Sequence, residues 1–85
     1  MSLFARWRSS GREAAVIGLG KSGVASALLL RREGIPVYAS DMAKDLSKVL
    51  GAEAETAGRR LAEAGVLLEL GRHDLSRIGR SAVCV

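Results

Sequence analysis

The chain has 85 residues, room for one small domain, and at 48% hydrophobic and 26% charged it reads as globular, not disordered. No apolar stretch approaches the ~18 residues needed to span a membrane, and the basic start "MSLFARWRSSGRE" lacks the apolar segment and cleavage site of a signal peptide, so no membrane insertion and a cytoplasmic location are expected. The net charge of +4 comes from arginines scattered in pairs, with no continuous stripe and no aromatic stacking platform; it points to a solvated face or to small phosphorylated ligands, not to nucleic acid.

The aromatic residues are Phe4, Trp7 and Tyr38 alone, so the core is expected to be aliphatic. Residues 1–12 read as an irregular leader, with Trp7 packed on the domain surface. From Glu13 to Leu19, "EAAVIGL" reads as a short buried strand. Ser22 is a candidate N-cap for the helix that follows, in which Val24, Ala27, Leu28 and the stem of Arg31 share one face. Gly34 stands at the usual C-terminal stop of that helix.

Pro36 opens "PVYAS", a second strand finishing at Asp41. Leu46, Val49 and Leu50 suggest a helical turn. Ala54, Ala57, Leu61 and Ala64 mark a longer helix that Gly65 ends. Residues 66–70, "VLLEL", predict a third strand that is apolar on both faces except at Glu69. "RHDLSRIG" reads as a short helix or turn and "SAVCV", 81–85, as a fourth strand.

Alternation of strands and helices implies a parallel sheet with helices on its faces, and nearly all-apolar strands agree with burial on both sides. The predicted fold class is α/β, a Rossmann-like parallel sheet in the order 3-2-1-4. In that order the fourth strand is a bare hydrophobic edge, so 13–85 is expected to be an N-terminal nucleotide-binding unit truncated after the fourth strand and continued in a larger protein. A lone cysteine cannot form an internal disulfide, and within "SAVCV" Cys84 reads as an inert buried thiol.

The first strand-to-helix turn reads Gly18-Leu19-Gly20-Lys21-Ser22-Gly23, the pattern G-x-G-x-x-G. In this pattern the first glycine allows a tight turn, the second lets backbone approach a phosphate, and the third lets helix and strand pack closely. The helix start adds unpaired N–H groups and the positive end of its dipole, so an anion is held there. Asp41, ending the second strand, is placed to take hydroxyls or ring N–H groups of a nucleotide; its competing reading is helix capping or a surface carboxylate. The turn alone fits UDP and NAD equally. His73, after the third strand, reads first as a loop histidine satisfied by backbone and second as a ligand contact.

Taken together, "VIGLGKSGVASALLL", "VYASD" and "LELGRHDLSRIGRSAVCV" resemble the N-terminal region of the Mur ligases, which carry G-x-G-x-[ST]-G, a strand-terminal acid, and a glycine–x–histidine turn before the strand that leads to a Ser-Pro-Gly loop. The resemblance covers roughly 13–85. It implies a domain binding the UDP of UDP-N-acetylmuramoyl-L-alanine, within a peptidoglycan-synthesis enzyme that adds D-glutamate using ATP. Lys21, Ser22 and Gly23 would then offer N–H groups or a hydroxyl to the pyrophosphate, and Asp41 would contact uracil or ribose.

The chain departs from the family after the acid, where Met42 and Ala43 precede Lys44 in place of a hydroxyl or basic residue. The Ser-Pro-Gly loop lies beyond Val85. The ATP and magnesium sites that the resemblance implies fall to the remaining ligase domains, because the 85 residues hold no G-x-x-G-K-[ST] loop and no carboxylate cluster for a metal. No catalytic residue is expected here, and the chain alone should be inactive. The competing readings are the NAD-binding domain of a dehydrogenase or siroheme-synthesis enzyme, in which Asp41 serves the adenosine ribose, and a nucleotide-sensing module of a potassium-transport regulator.

Overall fold

Short side chains open the sheet. Ala14–Ile17 (AAVI) form β1, and Ala14, Ala15 and Val16 are all buried. The structure, a computed structural model, describes Arg6 and residues 9–85. The expected packing of Trp7 lies outside the described residues, and within the leader expected to be irregular Arg6, Ser9 and Ser10 have helical backbone.

After β1 come helix α1 (Lys21–Arg32), strand β2 (Val37–Asp41), the one-turn helix α2 (Ser47–Leu50) and a 3₁₀ turn (Gly51–Glu53). Helix α3 (Ala54–Ala64), strand β3 (Leu67–Leu70), the short helix α4 (Leu75–Gly79) and strand β4 (Val83–Cys84) complete the chain. All strand pairs are parallel, in the order β3-β2-β1-β4. The fold is therefore the α/β Rossmann-like arrangement that the strand–helix alternation predicts.

Register sorts the side chains. Ala14 pairs with Val37 and Val16 with Ala39, and because successive strand residues face opposite sides, these four point to one face. There they pack with Val24, Ala27 and Leu30 of α1 and Leu61 of α3 in the aliphatic core. The other face carries Ala15, Tyr38 and Ser40, which are also buried. Tyr38 is thus a core residue that an aliphatic expectation passed over. Its hydroxyl donates to Glu69 Oε1 at 2.7 Å and accepts from Asp74 N at 2.9 Å, which satisfies a buried polar tip. Arg77 of α4 lies over its ring, 5.1 Å from the centroid, and holds Glu13 with both ends of its guanidinium.

Helix ends follow the glycines. Gly34 has φ +81 and closes α1, its N–H donating to Arg31 O and that of Ile35 to Leu30 O. Gly65 caps α3 in the left-handed conformation. The start of α1 corrects the sequence reading: the cap is Gly20, and Ser22 lies within the helix, exposed. The first helical bond runs from Val24 N to Gly20 O, so a serine two positions later is too late to cap it.

Cys84 is a second correction, because its thiol is exposed. β4 is a two-residue edge strand in which Cys84 stands opposite Ala15 and is exposed. β3 at the other edge is also less buried than its composition suggests, with Leu67 47% exposed. Among the described residues no helix is long and apolar enough to cross a membrane.

Candidate functional site

The glycine turn sits at the C-terminal edge of the sheet, between β1 and α1. Its three glycines have three different reasons to be glycine. Gly18 has φ +96, a conformation that side-chain-bearing residues rarely adopt; its N–H donates to Ser40 O at 2.8 Å, which ties the turn to β2. Gly23 has no room: a Cβ there would lie 2.0 Å from Gly18 O, so α1 rests directly on the turn's backbone. Gly20 is the converse. A Cβ there meets nothing within 4 Å, and the open space lies at the first residue of α1's cap. This division matches the geometry that lets an anion reach backbone N–H groups at a helix start.

Lys21 and Ser22 form the first exposed residues of α1. Lys21 Nζ lies 3.8 Å from Glu53 Oε2, both side chains largely in water, a pairing too exposed to hold the lysine in place. The ammonium remains available to an anion at the turn. A groove of 790 Å³ between α1 and α3 also includes Lys21, with Val24, Leu28 and Leu50 in its walls. Its wall between the two helices is mainly aliphatic, away from the strand ends where the sequence places the nucleotide.

Asp41 ends β2 and joins the turn directly. Oδ2 accepts from Leu19 N at 2.8 Å, and Oδ1 accepts from Ala43 N at 2.9 Å. These two N–H groups, Ala43 foremost, hold the carboxyl below the usual carboxylate range, and nearby His73 adds to the effect against the opposing cost of burial. The acid is therefore ionised throughout the neutral range. Asp41 caps no helix, and its half-buried carboxylate braces the loops after β1 and β2.

His73 also differs from expectation. Its Nδ1 shares a 2.6 Å hydrogen bond with Ser40 Oγ, so a side chain and not the backbone satisfies that nitrogen. Ser40 is fully buried and next to Asp41. Gly71, with φ +86, donates from its N–H to both Asp41 O and Ala43 O. The loops after β1, β2 and β3 are thus bound together around Asp41. The structure brings Gly18, Gly20, Lys21, Ser22, Gly23 and Asp41 to one edge, with His73 beside them through Ser40.

Sequence reasoning missed Ser40, Leu19 N and Ala43 N. Ser40 carried a signal: a hydroxyl within the apolar run "VYAS" must be buried and so must have a partner. The backbone donors carried none, because any residue type supplies an N–H.

Fold and turn together define the class, an α/β Rossmann-like unit with a G-x-G-x-x-G turn between its first strand and helix. The particular likeness is to UDP-N-acetylmuramoylalanine–D-glutamate ligases. The chain is 42% identical over 77 residues to that enzyme of Acidobacterium capsulatum and 37% identical over 75 residues to that of Chlorobaculum tepidum, each match covering 88% of the chain. The matches span only 15% and 14% of the length of those two relatives. No family model matches the chain. The two likenesses support a place for this sequence among the Mur ligases.

Proposed function

We propose that the chain is the UDP-binding part of a peptidoglycan-synthesis ligase, one that joins D-glutamate to UDP-N-acetylmuramoyl-L-alanine with ATP in the cytoplasm. The names of the two relatives support the reaction, and one observation supports the assignment of the site: three glycines with three distinct constraints, at a turn that meets a strand-terminal acid. On this reading Lys21, Ser22 and Gly23 offer N–H groups, and Ser22 its hydroxyl, to the pyrophosphate. Gly20 leaves room for it, and Gly18 shapes the turn. Asp41, with lone pairs left after two hydrogen bonds, meets ribose or uracil, and His73 stands next in line.

Nothing in the described residues fits the ATP or magnesium of the proposed reaction. No group of three His, Cys, Asp or Glu side chains comes together among them, and the glycine spacing is not that of an ATP phosphate loop. No step of acyl activation or D-glutamate attack is therefore placed on this chain; its proposed part is to hold the nucleotide handle of the substrate, with other ligase domains in cis.

Gly20→Val tests the assignment. A Cβ at this position meets no protein atom within 4 Å, so the variant should fold and keep its circular dichroism. The added side chain stands where the anion would lie, and UDP binding measured by ligand-observed NMR should be lost. A folded variant with wild-type affinity rules the turn out as the phosphate cradle.

A further inference from the structure

We infer that Asp41 is a positioning residue for the phosphate turn: its carboxylate fixes Leu19, and through Leu19 the backbone that an anion would meet. The inference rests on the proposed phosphate site and changes what the acid does there. Leu19 lies between Gly18 and Gly20, so the peptide units on both sides of it belong to residues with unusually wide conformational freedom. Such a segment presents a fixed set of N–H groups only if something outside it holds it.

Two restraints do so. The Leu19 side chain is fully buried in the core, and its N–H is held at 2.8 Å by Asp41 Oδ2. A carboxylate acceptor makes that bond stronger than a neutral one. The second oxygen holds Ala43 N at 2.9 Å, while Ala43 O and Asp41 O share the Gly71 N–H. The side chain therefore ties the loop after β2 to the turn after β1, and the backbone of Asp41 and Ala43 ties in the loop after β3. An acid that served only as a nucleoside ligand would need neither bond.

The test has a ligand-free arm and a binding arm. In ¹⁵N NMR of the chain without ligand, Asp41→Ala should shift the Leu19 and Ala43 amide protons upfield and speed their exchange, with the amides of β1 unchanged as the folding control. Asp41→Asn, which keeps one acceptor, should free at least one of the two. A Leu19 amide that stays in place in both variants overturns the proposal.

In the binding arm the probes are inorganic pyrophosphate and UDP. Because the turn itself is disturbed, Asp41→Ala, which removes both acceptors, should weaken pyrophosphate by about tenfold, the loss expected for one hydrogen bond to a charged group. UDP weakened with pyrophosphate unchanged means a nucleoside contact alone, and overturns the positioning role. Should the wild-type chain bind neither probe, the phosphate reading fails, and the amide measurement still decides whether Asp41 sets the turn.

Discussion

At Gly23 a single hydrogen atom separates a packed turn from a clash. A methyl group there would lie 2.0 Å from Gly18 O, against backbone that cannot swing aside as a flexible side chain would. Gly23→Ala should force α1 away from β1 and lower stability in urea by about 1–3 kcal/mol, the usual cost of overpacking. Gly20→Val, three residues earlier, should move the same denaturation curve far less, because it meets no backbone and loses only the difference between Gly and Val at a helix cap. The contrast separates two glycines that look alike in the sequence. One serves packing, and the other, on the proposed reading, is kept clear for a ligand. Gly18 and Gly23 were legible because their backbone conformation and close packing exclude side chains, and exclusion leaves a mark in the sequence. The bracing of Leu19 by Asp41 left none on the donor side, since its donor is backbone.

At the level of elements, the strands and long helices were legible from pattern alone. Residues 14–16 and 37–40 are buried on both faces because helices cover one side and His73 and Arg77 of α4 cover parts of the other. Gly34 and Gly65 stopped their helices where expected. The cap of α1 was misplaced by two residues because a serine looks like a cap, while here a glycine in extended backbone does the capping. Cys84 looked buried because its neighbours are apolar, but an edge strand has an uncovered side. The docking of α4 was not legible, since it depends on a tyrosine hydroxyl meeting a backbone N–H far along the chain. That contact can be measured. Tyr38→Phe keeps the ring and removes a hydroxyl that serves Glu69 and Asp74 together. We expect a loss of about 1.5–3 kcal/mol in chemical denaturation, the worth of a hydrogen bond to a charged group, with amide exchange rising first in 74–79.

Across the whole molecule, parallel strands bring their C-terminal ends to one edge, and ligands of such sheets sit outside that edge where the strand order reverses. In the order β3-β2-β1-β4 the reversal falls beside β1, and the glycine turn follows β1 directly. This is why a motif of six residues, an acid eighteen positions further on and a histidine after β3 converge, although only the first two were assigned together from sequence. The anion cradle is common to many nucleotides, so the choice among them must come from groups around Asp41 and the loops it joins. The function proposed above makes that choice uridine. Competition by ligand-observed NMR among UDP, ADP and NAD reads that choice directly. We expect UDP to displace both of the others, binding in the millimolar range, about −4 kcal/mol, as a phosphate cradle and a few hydrogen bonds can supply. A preference for NAD that disappears in Asp41→Asn would contradict the ligase assignment and make this the cofactor domain of a dehydrogenase.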